Sequence, residues 1–86
     1  QGRIEEARGL LSRAIEIIEP VFGGEHPLAA RATHGLGRIA LSAADPATAR
    51  MHFERAHRTR LARLGPNHPD TLASRAALES SVARDG

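Results

Sequence analysis

Cysteine is absent from all 86 residues, so neither a disulfide framework nor a thiolate metal site is available. Lysine is absent too, and all twelve basic side chains are arginine. Arginine titrates so high that a net charge of only +2 carries the isoelectric point to about 11. The surplus itself is small and argues little for nucleic acid. Tryptophan and tyrosine are missing, leaving Phe22 and Phe53 as the only residues of the Phe, Trp and Tyr class. Strand-favouring residues are sparse, with five isoleucines and two valines, which speaks against a sheet. No apolar run approaches the roughly 20 residues that cross a bilayer, and no signal-peptide core is present. The expectation is a soluble, cytoplasmic chain.

What the sequence does contain is alanine, which supplies sixteen of its apolar residues. A chain this short buries only about 60% of its unfolded surface. Small side chains suit a thin core made by close helix–helix approach. The chain also writes one turn twice. Gly23 to Ala29 reads GGEHPLA and Gly65 to Thr71 reads GPNHPDT, and His26 to His68 is a step of 42 (68 − 26). The same step pairs Ala7 with Ala49, Leu11 with Phe53, Ala14 with Ala56, Phe22 with Leu64 and Leu36 with Leu78. A constant register of this size is the sign of a stacked repeat array.

Each period holds two helical stretches. Over residues 2–22, Ala7, Leu11, Ala14, Ile18 and Phe22 recur at helical spacing, with Glu5 and Glu6 complementing the dipole in the first turn. Pro20 falls late and predicts a kinked or irregular last turn. Residues 27–43 carry Ala29, Ala32, Leu36, Ala40 and Ala43, with Pro27 at the first helical position. Residues 46–64 follow Asp45 as N-cap and carry Ala49, Phe53, Ala56, Arg60 and Leu64; a fourth helix covers 69–84. The residue before each His-Pro proline is pushed out of the α region, and a glycine after each long helix permits a left-handed cap. The doubled turn therefore punctuates an all-α antiparallel helix-hairpin array.

Leu36-Gly37-x-x-Ala40 followed by Ala49-x-x-x-Phe53-x-x-Ala56 resembles the tetratricopeptide repeat pattern. The 42-residue step and the Gly-x-x-His-Pro loop resemble the longer subtype found in kinesin light chains and many bacterial proteins. The resemblance covers essentially the whole chain, residues 1–86, as one segment of a longer array: helix B (2–22), helix A (27–43), helix B (46–64) and helix A (69–84). It implies a protein-binding scaffold whose helices A line a concave face. Arg31, His34, Arg38 and Leu41 of one copy, and Ala73, Ala76, Ser80 and Ala83 of the next, would face it. Departures are visible. The aromatic common on helix A is Ala40 in one copy and Val82 in the other, and the paired asparagines of the subtype are His34-Gly35 and Ala76-Ala77.

Other readings weigh less. His52 and His57 lie about 140° apart around a helix and are poorly placed to share a metal. His26 and His68 are explained by the turns. No nucleophile elbow and no phosphate loop is present, so neither an enzyme, a metal site nor a cofactor is expected. Where helix 2–22 has Leu10, Ile15, Ile17, Ile18 and Val21, helix 46–64 has His52, His57, Thr59, Arg60 and Arg63. Open apolar surface at Ile15, Ile17 and Val21 suggests self-association. Arg55, Arg58, Arg60 and Arg63 read as a basic strip, for an acidic partner, for phosphates or nucleic acid, or simply as a solvated face. A further expectation, by resemblance to bacterial arrays, is a regulatory or sensor role beside a nucleotide-dependent signalling domain, the partner then being another part of the same polypeptide.

Overall fold

A computed structural model describes the backbone of residues 2–85 and the side chains of residues 2–81. Four helices follow one another: α1 (Gly2–Phe22), α2 (Pro27–Ser42), α3 (Pro46–Leu64) and α4 (Pro69–Asp85). The repeats form an all-α array of antiparallel helix hairpins. Helix α1 continues through Pro20 to Phe22, while α2 stops one residue short of Ala43.

The punctuation is local and is written in side chains. His26 caps α2 with extended backbone, and its Nδ1 accepts the Leu28 N–H at 3.0 Å. One period later the His68 Nδ1 accepts the Asp70 N–H at the same 3.0 Å. Each imidazole thus satisfies one orphan donor at a helix start, with proline occupying the position that has no N–H to give. Asp45 does the same for α3, accepting the Thr48 N–H at 3.2 Å. The turns after α1 and α3 use Gly23 and Gly65, at φ of 90° and 92°. At the α2–α3 turn the left-handed residue is Ala44, φ 60°, where the missing glycine costs about 1–2 kcal/mol of backbone strain.

Packing runs in series, α1 on α2, α2 on α3 and α3 on α4. Ala40, Ala49 and Phe53 form the buried centre, with Leu41, Ala77 and Leu78 packed against it. Gly37 makes this possible: a Cβ there would lie 2.5 Å from the Phe53 ring. Helix α3 has a neighbour on two sides and buries Ala49, Phe53, Ala56, Thr59 and Arg60. Helix α1 packs chiefly on α2 and buries no residue, leaving Leu10, Ile17 and Val21 about two-thirds or more exposed. Among the described residues no helix is long and apolar enough to cross a membrane.

Candidate functional site

Helix α4 docks through hydroxyls where α2 docks through hydrocarbon. Ala29, Ala32 and Ile39 of α2 correspond to Thr71, Ser74 and Ser81 of α4, all three fully buried. The Thr71 hydroxyl donates to the Arg60 carbonyl at 3.2 Å, and the Ser81 hydroxyl to the Ala77 carbonyl at 3.0 Å. Ser74 accepts from Arg60 Nη1 at 2.8 Å and lies 3.0 Å from His34 Nδ1. Arg60 Nη1 also reaches the Asp70 carbonyl at 3.1 Å. One serine thereby ties α4 to α3 and to α2.

The His34 ring is held from the other side by Phe53, centroid to centroid 5.0 Å. Burial pushes its pKa below the ordinary value, and Arg60 and Arg38 push it further down against the opposing Asp70. Neutral imidazole fits the hydrogen bonding. A Ser74 hydroxyl that accepts from Arg60 can give its own proton to Nδ1, the pairing that suits the Nε2–H tautomer. Burial also pushes the Arg60 guanidinium down, with Asp70 opposing and Arg31 adding to the fall.

Arg31, His34, Arg38 and Arg60 line one groove of about 400 Å³, together with Leu11, Ala14 and Ile18 of α1. Among the described residues, three arginines elsewhere pair with carboxylates: Arg8 with Glu5, Arg55 with Glu19 and Arg75 with Glu79. The three groove arginines have none. Unpaired cations converging on a depression raise the local potential for anions.

Arg31, His34 and Arg38 thus share the groove, and Ala73, Ala76 and Ser80 lie exposed on α4. Leu41 is half-buried against the Ala40–Phe53 cluster and is not among the groove's lining side chains. The side chain of Ala83 lies outside the described residues. The basic strip is not brought together. Arg58 and Arg60, two residues apart, point about 200° apart around a helix. Arg58 is exposed while Arg60, on the apolar stripe with Phe53 and Ala56, is only 6% exposed. Arg55 pairs with Glu19 across to α1, and Arg63 donates to the Glu25 carbonyl. Sequence reasoning missed the role of Ser74, and its signal was available: a hydroxyl at the place of Ala32, in the same period as arginine at the place of Ile18.

A family model described as tetratricopeptide repeat matches residues 1–62. No curated protein and no solved structure matches the chain.

Proposed function

The chain belongs to the tetratricopeptide repeat family, and on that premise we propose that it holds an extended segment of a protein partner along the inner faces of α2 and α4. The family is a non-enzymatic scaffold type that mediates protein–protein interaction. The observation that carries the reading is the groove in which Arg31, Arg38 and Arg60 sit without ion-pair partners, with Ala73, Ala76 and Ser80 as small exposed side chains on α4. Small residues let a peptide backbone approach, and the guanidiniums take acidic groups in forked hydrogen bonds. The arginines of α3 are dispersed over several faces and supply no continuous track for a nucleic-acid backbone. The 42-residue step and the two histidine-capped turns support placement in the longer-loop subtype of the family.

The test is selection of twelve-residue peptides displayed on phage, followed by affinity measurement with variants. Arg31→Glu with Arg38→Glu, or Ala76→Trp, is expected to weaken the selected peptides about tenfold or more at unchanged helicity. Met51→Glu, on the exposed outer side of α3, leaves them unaffected. Peptides indifferent to the first two changes and sensitive to Met51→Glu contradict the assignment.

A further inference from the structure

We propose that the groove at Arg31, Arg38 and Arg60 seats a phosphoryl group carried on a serine or threonine of the bound segment. The inference rests on the interaction reading above and names what the basic half of that face recognises.

Charge comes first. Three guanidiniums surround the groove, and the one acid acting on its buried members is Asp70. Two positive charges are left over. A phosphoryl group at neutral pH brings about −1.5 to −2 and closes that balance, whereas one carboxylate leaves a positive charge uncompensated.

Donor geometry comes second. Arg60 is only 6% exposed, yet its hydrogen bonds to protein, to Asp70 and Ser74, come from Nη1 alone. No buried side-chain nitrogen lacks a partner among the described residues, so its Nε and Nη2 are donors open to solvent rather than sealed orphans. The guanidinium is thus fixed by one nitrogen and free at the others. Ser74 orders it, and the same serine orders His34. Arg31 and Arg38 bring full forks from two turns of α2, and the His34 ring lines the same groove. Forks from separate backbone positions suit the three oxygens of a tetrahedral group better than the two of a planar one.

A phosphate in a nucleic-acid backbone is the weaker match. Single-strand binding joins a basic path to aromatic stacking platforms. Phe53 is fully buried here, and Phe22 sits against His26 at the α1–α2 turn.

The experiment titrates the protein with an alanine pentapeptide bearing a central phosphoserine, and with the same peptide bearing serine or glutamate, following the arginine Nε–Hε signals by NMR. Saturable shifts at Arg31, Arg38 and Arg60 are expected, with the phosphoserine peptide binding about 30-fold tighter than the serine one. The glutamate peptide should be at least about fivefold weaker than the phosphoserine peptide. Arg31→Gln and Arg38→Gln, both exposed and unpaired, each weaken the phosphopeptide about fivefold at unchanged helicity. Glutamate equal to phosphoserine, shifts confined to other arginines, or silent Arg31→Gln and Arg38→Gln variants overturn the proposal. So does a uridine dodecamer that binds through the same arginines more tightly than the phosphopeptide. Phage-selected peptides that depend on Ala76 while phosphoserine gives no advantage sink this inference and spare the interaction reading. Phosphoserine binding in the groove with no Ala76-dependent peptide does the reverse.

Discussion

Arg60 of α3 and Ser74 of α4 are joined by a 2.8 Å hydrogen bond at positions that one repeat earlier are Ile18 and Ala32. An apolar pair has become a polar pair at the same place in the fold. The exchange is coupled in the physical sense, because a buried guanidinium without its acceptor and a buried acceptor without its donor are both costly. Ser74→Ala is expected to lose about 1–3 kcal/mol in urea unfolding. Arg60→Ile with Ser74→Ala restores the arrangement of the first repeat and should lose less than the two single changes summed, by about 1–2 kcal/mol. Strict additivity across the cycle contradicts the coupling.

Two glycines on α2 separate sterics by what they touch. A Cβ at Gly37 lies 2.5 Å, 2.7 Å and 2.9 Å from three atoms of the Phe53 ring, which is wedged in the core. Gly37→Ala should destabilise by about 1–3 kcal/mol despite alanine's better helix propensity. At Gly35 the nearest atom is a Leu11 methyl at 2.8 Å, on the end of a side chain of the open helix α1. That methyl can swing away, and the propensity gain offsets the push, so Gly35→Ala is expected within about 0.5 kcal/mol of the parent. Phe53→Leu should rescue Gly37→Ala in part, and failure to do so argues against the ring as the obstacle.

The capping histidines give a paired test. His26→Ala and His68→Ala each remove the acceptor at a helix start and should cost about 1 kcal/mol, or about 4–8 °C in Tm. Asparagine at either position keeps an acceptor and should hold most of that stability. Each imidazole hydrogen-bonds only to the helix start beside it, so the two losses should add.

Acid should loosen the fold through His34 and His52. Both imidazoles are pushed below their ordinary value, His34 by burial, Arg60 and Arg38, and His52 by burial and Arg55. The unfolded chain, titrating near 6.5, then binds more protons than the native state over the interval below that pH. Stability is therefore complete above about 6.5 and is lost as pH falls toward the depressed native values. Midpoints of urea unfolding between pH 5 and 7.5 check this. His34→Gln and His52→Leu should each flatten part of the slope, and an unchanged slope in both would remove these residues as its source.

The fold class was legible because its instructions are short-range. A constant step of 42, proline and glycine at fixed offsets, and apolar residues at helical spacing specify hairpins without reference to distant residues. Ala49, Phe53 and Ala56 could be placed in the core from their spacing alone, and they are fully buried. Arg60 shows where such reasoning divides. It lies on the same stripe as Phe53, and it also belongs to a run of arginines that reads as a solvated strip; periodicity favours the first and composition the second. The answer lay with Asp70 and Ser74, ten and fourteen residues onward, which supply acceptors that let the charge go under.

The amino-acid order alone thus determined that this is an alanine-rich helical repeat with capped, evenly spaced turns, because caps, turns and helix faces are set within a few residues of one another. Only the tertiary structure decided which arginines meet in a groove, which one is buried, and that His34 packs beside them with its pKa pushed down. Those properties arise from side chains up to 40 residues apart, whose mutual distance no local rule contains.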